Sequence, residues 1–389
     1  MPIFVLMKFP KKIQNKLFSR IESKALRTLG LQSDLIDFSS NDYLGFAKSE
    51  TIFDITHQFL VDENLKVNGA TGSRLLSGNH QLYTVLEKQI SIFHQSESAL
   101  IFNSGYDANI GFFSAIPQRG DIILYDELIH ASIRDGIQLS NAKSYKFKHN
   151  DVEDLKSLLK RHSGLVSESD NEIYIVTESV FSMDGDTPDL VKMSEIIKMH
   201  NAFFVVDEAH AVGVFGEYGC GEVQRLGIEN DVFARIVTFG KALGSHGAAI
   251  LGNKKLTEYL VNFARSFIYT TGLSPHALAT VKVAYDHLKE ESLQEKLKEN
   301  IRFFKSEILR LNLQELFIES NSAIHCCVVS GNEKAKNIAS QLHQKGFDIK
   351  PILSPTVSEG EERLRFCLHS YNSHEEIMQV LNLLSTFVA

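Results

Sequence analysis

The 389-residue chain has no tryptophan, only seven prolines and only four cysteines. Two of the cysteines, Cys326 and Cys327, are adjacent, and no Cys-x-x-Cys pair includes them or the other two, Cys220 and Cys367. This spacing argues against a disulfide scaffold or a zinc site and predicts reduced thiols in the core. No apolar run approaches the roughly 18 residues of a membrane helix, so we expect no membrane partner.

The net charge of the chain is unevenly distributed. The chain carries a net charge of −8, yet its first 30 residues sum to +6 and the rest to −14. An acidic chain argues against nucleic acid as a partner.

The basic leader has two interpretations. One is an organellar transit peptide, and the other is an amphipathic helix over 11–30. The helix would carry Ile13, Leu17 and Ile21, continuing to Ala25 and Leu29. The order of apolar and basic residues is the reverse of a secretory signal, and we expect a cytoplasmic protein.

Short apolar runs alternate with helical patterns through the first two thirds of the chain. Runs without polar alternation suit strands buried on both faces of a mostly parallel sheet, so the fold class is α/β. The predicted strands are 97–104, 121–126, 172–179, 202–210, 234–241 and 247–252, with helices at 151–161 and 188–200.

Beyond Pro275 the pattern changes to a long charged helix over 276–311 and then to strand-like pieces at 322–329 and 363–368, with a closing helix at 373–388. This order of helices and strands predicts a smaller α+β domain. With so few prolines and no Pro/Gly/Ser-rich linker, the two domains should pack closely. The predicted division is an N-terminal helix and extension at 1–50, a large α/β domain at 51–283 and a small domain at 284–389.

The segment "VVDEAH" (205–210) is similar to the acidic motif of DEAH-type helicases. That interpretation requires a G-x-x-x-x-G-K-[ST] phosphate loop. The Gly240–Lys241 pair is preceded by Arg235 in the first-glycine position and followed by Ala242, so the motif is missing.

Asp207 is better interpreted as a strand-end residue, because ligands of open α/β sheets bind at the carboxyl ends of strands. His210 lies three residues further on, and Lys241 follows another strand. For an arbitrary Asp and Lys in such positions, an ordinary salt bridge is the simplest interpretation.

The residues at the neighbouring strand ends favour a binding site over a simple salt bridge. Gly105 after a strand and before a helix leaves free backbone N–H groups for an anion. His130 follows the next strand, and Glu178 and Ser182 follow a third. These are the groups that pyridoxal 5'-phosphate needs: a lysine for a Schiff base, a carboxylate for the pyridine nitrogen, a phosphate site and a flat side chain for stacking.

The chain resembles the α-oxoamine synthase family of fold-type I pyridoxal-phosphate enzymes. The resemblance extends over nearly the whole chain, through "FSSNDYLGF" (38–46), "GATGSRLLSGNHQLYTVLE" (69–87), "FARSFIYTTGLSP" (263–275) and "RLRFCLHS" (363–370). It implies an aspartate-aminotransferase-like fold and an acyltransferase activity.

"VTESVFSMDGD" (176–186) and "VVDEAHAVGVFGEYGCG" (205–221) are most similar to the biotin-pathway branch of that family. The branch implies condensation of L-alanine with a pimeloyl thioester, carried on coenzyme A or acyl carrier protein, to give 8-amino-7-oxononanoate and carbon dioxide. Other branches, which use serine with palmitoyl or glycine with acetyl thioesters, share the cofactor residues. An inactive homologue that only binds is a further alternative, disfavoured because the cofactor residues are intact.

The resemblance implies the following cofactor contacts. Lys241 carries the cofactor and moves the substrate's α-proton, Asp207 pairs with the pyridinium nitrogen, and His130 stacks on the ring. His210 reaches the 3-oxygen, supported by Ser182. The phosphate is held by Gly105, Tyr106, Thr238 and, from the neighbouring subunit, Thr270. The active unit is therefore expected to be a homodimer with shared sites, and no metal is implied.

Substrate contacts follow in the same way. Arg365 would hold the amino acid carboxylate by a bidentate contact, with Asn41 assisting. Arg363, two residues earlier on the same strand face, is the alternative. Arg27 and Thr356 match positions that meet the substrate. Three small-domain departures from the family pattern bear on the acyl substrate: Cys326, Leu353 and the "LHSYNS" run that contains His369.

Overall fold

The computed structural model describes residues 9–27, 29, 34–166 and 170–388. Its strands, in chain order, are β1 (Ile36–Asp37), β2 (Ser98–Phe102), β3 (Ile122–Asp126), β4 (Lys143–Phe147), β5 (Ile173–Glu178), β6 (Phe203–Asp207), β7 (Ala234–Thr238), β8 (Ala248–Gly252), β9 (Ile324–Val328), β10 (Phe347–Asp348), β11 (Lys350–Ile352) and β12 (Arg363–Cys367).

The helices occupy the segments between them. They are α1 (Lys11–Glu22), α2 (Glu50–Asp62), α3 (Gln81–Phe93), α4 (Gly105–Ala115), α5 (Ala131–Leu139), α6 (Val152–Val166), α7 (Leu190–Met199), α8 (Glu222–Arg225), α9 (Lys254–Phe263), α10 (Arg265–Ile268), α11 (Pro275–His287), α12 (Ser292–Arg310), α13 (Asn332–Gln344) and α14 (His374–Val388). Among the described residues no helix is both long and apolar enough to cross a membrane.

A seven-stranded sheet forms the centre, in the order β2-β8-β7-β6-β5-β3-β4. Strand β8 is antiparallel to both neighbours, and the other pairings are parallel. All six predicted strands are present in this sheet. Its central strands are buried along their whole length because helices cover both faces. The expectation of a mostly parallel α/β sheet is confirmed.

The direction of the strands brings several loop segments together at one edge of this sheet. Strands β2, β3, β5, β6 and β7 all run the same way, and β8 returns from the edge at which they end. The segments that follow Phe102, Asp126, Glu178, Asp207 and Thr238 therefore meet at that edge.

A smaller three-stranded antiparallel sheet, β11-β12-β9, carries the C-terminal region. Strand β1 from the N-terminal segment pairs with β10, at Ile36 with Phe347, so both ends of the chain contribute there. One apolar cluster runs from this region into the large sheet, which joins the two parts. The domain boundaries at 50/51 and 283/284 stay a prediction.

Two predicted helices end differently in the structure. Helix α1 ends at Glu22 rather than continuing to Ala25 and Leu29, because Lys24 has a φ of 51° and the Ala25 N–H closes on the Arg20 carbonyl. The predicted 276–311 helix is two helices, α11 and α12, and the Gln294 amide caps the free Leu288 carbonyl between them. The "MPIFVLM" start lies outside the described residues.

Candidate active site

A cavity of about 200 Å³ opens at the edge where the parallel strands end. The residues around it come from the segments after five different strands. They are Ser104, Gly105, Tyr106, Asn109, His130, Ser132, Glu178, Asp207, Ala209, His210, Thr238, Gly240, Lys241, His246 and Gly247. The cavity thus brings together seven of the residues that the sequence nominated for the cofactor.

Lys241 follows β7 and points its amine into surroundings that disfavour a charge. Burial lowers the pKa of this amine, the positive charge of Arg365 lowers it further, and Asp207 opposes both. In the part of the chain that the structure describes, the amine has no hydrogen-bond or ion-pair partner. A half-buried amine without a partner and with a depressed pKa is suited to covalent chemistry.

Asp207 is the last residue of β6 and is buried. Its Oδ2 accepts a hydrogen bond from Asn109 Nδ2 at 2.9 Å, and its Oδ1 accepts one from the Ala209 N–H at 2.9 Å. Two donors of this kind fix the plane of the carboxylate at the floor of the cavity. The ordinary salt bridge between Asp207 and Lys241 is not formed among the described ion pairs.

His130 is connected to Asp207 by a chain of polar side chains. Its Nδ1 lies 2.7 Å from Ser132 Oγ, and Asn109 Nδ2 donates to the same oxygen at 3.0 Å. The backbone N–H of His130 donates to the Glu178 carboxyl group. Burial lowers the pKa of His130, so its ring favours the uncharged form that stacks on an aromatic system.

Glu178 lies beside Asp207 in the register of β5 with β6. Burial raises the pKa of Glu178 well above its ordinary range, and the neighbouring Asp207 carboxylate adds to the effect. Glu178 therefore favours its uncharged, protonated form.

His210 lies deeper, against the N-terminal segment. Its Nδ1 is 2.7 Å from the hydroxyl of Tyr43, and both residues are buried. Burial lowers the pKa of His210 well below its ordinary range, and the charges of Lys241 and Arg365 lower it further. A neutral ring hydrogen-bonded at one nitrogen is left with the other nitrogen for a ligand.

Arg365 extends from β12 over the same region. Its Nη2 donates to Asn41 Oδ1 at 2.9 Å, its Nε donates to the Ser182 carbonyl at 2.7 Å, and its Nη1 lies 2.8 Å from the Cys367 sulfur. Arg363, the alternative, instead pairs with Asp184. The structure thus brings Arg365 and Asn41 together, whereas the Ser182 side chain is not among the cavity-lining groups.

The start of α4 forms the expected anion cradle. Ser104 caps the helix by accepting the Asp107 N–H, and a Cβ placed on Gly105 would lie 2.6 Å from the Thr238 methyl. The hydroxyl of Thr238 is buried and has no partner in the described structure. Tyr106 also borders the cavity, and its hydroxyl binds Asp135. Free helix N–H groups beside an unpaired hydroxyl suit a phosphate.

The remaining nominated residues lie away from the cavity. Arg27 Nη2 donates to Thr356 Oγ1 at 3.3 Å, so the two expected substrate residues do come together, at the surface of the small domain. Thr270 accepts from Asn103 Nδ2 at 3.3 Å and does not line the cavity of its own chain. Its contact with a neighbouring subunit's phosphate stays a prediction.

Two of the three family departures, Cys326 and His369, lie near Arg365 or next to its partner Asn41. His369 is buried, with Nε2 3.1 Å from Ser40 Oγ, one residue before Asn41. Cys326 pairs with Arg365 across β9 and β12, and its sulfur lies 3.1 Å from the Met183 carbonyl. Leu353 packs at the edge of the large apolar cluster.

Sequence reasoning missed three groups that the structure places in the polar framework. Asn109 lies one helical turn after Gly105 on α4, so helix periodicity could have found it. Tyr43 lies two residues after Asn41, in a motif already noted. Ser132 lies in the first turn of α5, two residues after His130, where only the tertiary contact to Asn109 reveals its role.

These groups fit pyridoxal 5'-phosphate. The unpaired amine of Lys241 matches the cofactor's aldehyde, and the fixed carboxylate of Asp207 matches its ring nitrogen. The unpaired hydroxyl of Thr238 and the tight turn at Gly105 match its phosphate. The family model described as aminotransferase class I and II matches residues 33–384. The chain belongs to this family, whose fold is that of pyridoxal-phosphate-dependent enzymes, and pyridoxal phosphate is its cofactor.

Individual relatives show which members of the family the chain is similar to. The chain is 41% identical over 378 residues to 8-amino-7-oxononanoate synthase from Emericella nidulans, covering 92% of this chain and 90% of the relative. It is 36% identical over 362 residues to 8-amino-7-oxononanoate synthase from Saccharophagus degradans, covering 92% and 88%.

Solved structures agree on the fold. Serine palmitoyltransferase from Sphingomonas wittichii has a TM-score of 0.87 at 28% identity, covering 98% of both chains. 8-Amino-7-oxononanoate synthase from Francisella tularensis has a TM-score of 0.76 at 28% identity, covering 92% of this chain and 98% of its own. The expectations of fold-type I architecture and membership in the α-oxoamine synthase group are confirmed.

Proposed function

We propose that the chain is an acyltransferase that condenses L-alanine with a pimeloyl thioester to form 8-amino-7-oxononanoate in biotin biosynthesis. The reaction joins the α-carbon of alanine to the acyl carbon and releases carbon dioxide and the free thiol. The observation that carries the proposal is the hydrogen bond between Arg365 and Asn41, close enough to Lys241 for the Arg365 charge to lower the pKa of its amine, in a chain 41% identical to a synthase of that name.

The bound cofactor supplies an electron sink that stabilises a carbanion at the alanine α-carbon. The residues of this chain prepare and direct that chemistry. The Arg365 guanidinium, whose Nη2 donates to Asn41 Oδ1, offers its remaining N–H groups to the alanine carboxylate. This contact orients the α-carbon toward Lys241.

Lys241 is the proposed base that removes the α-proton and later returns a proton. Burial and the nearby Arg365 lower the pKa of its amine, so a larger uncharged fraction is available near neutral pH than for a free lysine. Asp207 holds a proton on the cofactor ring nitrogen, and the donors from Asn109 and Ala209 keep its carboxylate in position.

Two histidines would hold the cofactor ring. His130, tied to Asp207 through Ser132 and Asn109, is the proposed stacking residue, and His210, fixed by Tyr43, is the proposed partner of the ring oxygen. Ser182 is the proposed support for the region around that ring oxygen. Gly105, Tyr106 and Thr238 are the proposed phosphate residues. Arg27 and Thr356 are further proposed contacts for the substrate.

The assembly and location are parts of the same proposal. A homodimer with shared sites is supported by Thr270, which lies outside the cavity of its own chain. A cytoplasmic location is supported by the coenzyme A or acyl carrier protein thioester that the reaction consumes.

A serine palmitoyltransferase-like activity is the competing candidate, favoured by the higher TM-score of 0.87. Backbone shape is shared by the whole family, whereas acyl and amino acid preference depends on side chains. The 41% identity to the alanine-branch relative exceeds the 25–28% identity to serine palmitoyltransferase structures and supports the alanine reaction. The mass of the product formed from defined pairs of amino acid and acyl thioester tests the proposal.

A further inference from the structure

His149 lies outside the cavity, between two carboxylates from different parts of the sheet edge. Its Nδ1 is 2.9 Å from Oδ1 of Asp126, the buried last residue of β3, and its Nε2 is 2.8 Å from Oδ2 of Asp186, beyond the end of β5. Each carboxylate oxygen can only accept, so both ring nitrogens carry a proton and the ring is an imidazolium.

The charge balance around the ring supports this state. Burial opposes a charge on His149, but the hydrogen bonds to Asp126 and Asp186 and their negative charges raise its pKa to about 9. Asn150 Nδ2 also donates to Asp186, and the backbone N–H of His149 donates to Glu127 Oε1 at 3.3 Å. Glu127 in turn pairs with Lys146.

The cluster is an ion-pair bridge and not a metal centre. His149, Asp184 and Asp186 offer three ligand atoms within 4.8 Å of one another. Both nitrogens of His149 are already used, and Asp184 is paired with Arg363. The Phe181 ring also stands edge-on to the imidazole, with ring centroids 4.5 Å apart, and closes that side.

The loop 181–186 connects this bridge to the proposed alanine site. The loop is closed by bonds from the Phe181 N–H to the Asp186 carbonyl and from the Gly185 N–H to the Phe181 carbonyl, at 3.1 and 2.8 Å. Between these ends, the Ser182 carbonyl accepts from Arg365 Nε. A displacement of Asp186 therefore moves an acceptor that orients Arg365.

We infer that His149 is a positioning residue for amino acid binding, tying the loop 181–186 to the end of β3 so that Arg365 is held in its orientation. The inference rests on the proposed role of Arg365 as the carboxylate-binding group. His149 itself lies outside the cavity lining and touches neither the cavity nor Lys241.

The sign of the pH dependence follows from the raised pKa. The bridge is complete below the ordinary histidine pKa of about 6.5 and is lost as the pH rises through about 9. Wild-type holoenzyme should therefore bind L-alanine more weakly as the pH rises through that value. His149→Gln keeps a hydrogen-bonding side chain but cannot be charged, so this part of the pH profile should disappear.

The test measures the dissociation constant of L-alanine from the change in visible absorbance of the holoenzyme. His149→Gln should weaken binding about tenfold at pH 7.5, while His343→Gln, an exposed histidine on α13, should leave it unchanged. In an Arg365→Lys background the same His149→Gln change should add little, because its effect acts through Arg365.

Wild-type affinity in His149→Gln, or an equal loss in both backgrounds, would overturn the inference. If His149→Gln does not fold, Asp186→Asn carries the same comparison from the other side of the bridge, with the same two deciding outcomes. Turnover of wild-type protein with alanine and a pimeloyl thioester tests the proposed function separately. Failure of the positioning role is thereby distinguished from failure of the reaction.

Discussion

Lys241 and Asp207 occupy the ends of adjacent strands, yet each is held differently. Asp207 is fixed by two donors, whereas the Lys241 amine has no partner in the described residues. A structural ion pair would have joined them directly. The separation leaves room for a cofactor whose aldehyde meets the amine and whose ring nitrogen meets the acid.

Replacing Lys241 with Ala should abolish both the visible absorbance of covalently held cofactor and turnover. The reason is that the proposed proton carrier and the proposed attachment point of the cofactor are removed together. Lys160→Ala, on the exposed side of α6, is the matched control and should behave as wild type. Full activity in Lys241→Ala would contradict the assignment.

Asp207→Asn should retain cofactor but lower kcat by about 10²-fold or more, a magnitude typical of removing one electrostatic stabiliser from an active site. The amide no longer favours a proton on the ring nitrogen, although it is nearly the same shape. Asp54→Asn, at an exposed position of α2, provides the control. Near-normal turnover would remove Asp207 from this role.

Strand-end residues such as Asp207, His130 and Lys241 could be nominated from the sequence because parallel strands end at one edge. The polar groups that hold them could not all be nominated. Asn109 donates to Asp207, which lies 98 positions away in the chain, and to Ser132, which lies 23 positions away. Such pairings depend on the tertiary arrangement, which local spacing does not encode.

At the scale of elements, the start of α4 and the end of β7 approach each other closely. The Thr238 methyl occupies the space that a Cβ on Gly105 would need, at 2.6 Å. The Thr238 hydroxyl is buried there and has no partner in the described structure. The cradle thus depends on both elements.

Gly105→Ala should weaken cofactor binding about tenfold or more, because the new methyl must push Thr238 aside in a tightly packed site. The double variant Gly105→Ala/Thr238→Ser should recover most of the affinity, since serine keeps the hydroxyl and removes the obstructing methyl. Thr238→Ser alone is the reference. Equilibrium titration with the cofactor measures all three, and absence of rescue would argue against this account of the cradle.

The buried strands were predicted well, whereas β4 was missed. Four of the five residues of β4 are exposed at the end of the sheet, so no apolar run marks it. The break between α11 and α12 was missed for a related reason. A side chain, Gln294, satisfies the Leu288 carbonyl there, so the charged helical pattern runs on across the break.

At the scale of the whole molecule, small-domain residues complete the proposed site. Arg365 on β12 meets Asn41 near the N-terminus, and His369 holds the neighbouring Ser40. Contacts across more than 320 positions of the chain therefore define the amino acid pocket. Resemblance to the α-oxoamine synthases supplied this pairing, which spacing alone could not.

The proposed shared dimer site predicts a specific complementation. In a mixed dimer of Lys241→Ala and Thr270→Val chains, the site that retains Lys241 would receive an intact Thr270 from its partner. That site should bind cofactor with wild-type affinity, while the Thr270→Val homodimer binds more weakly. Equal affinity in the mixed dimer and the Thr270→Val homodimer would show that Thr270 acts within its own chain.

The most direct measurement of the central claim is product mass from purified holoenzyme. Alanine, glycine and serine are each paired with acetyl, pimeloyl and palmitoyl thioesters of coenzyme A and of acyl carrier protein. The account predicts one strong product, 8-amino-7-oxononanoate, from alanine and the pimeloyl thioester, with release of carbon dioxide. A dominant product from serine with the palmitoyl thioester or from glycine with the acetyl thioester, or no product from alanine with the pimeloyl thioester, would contradict it.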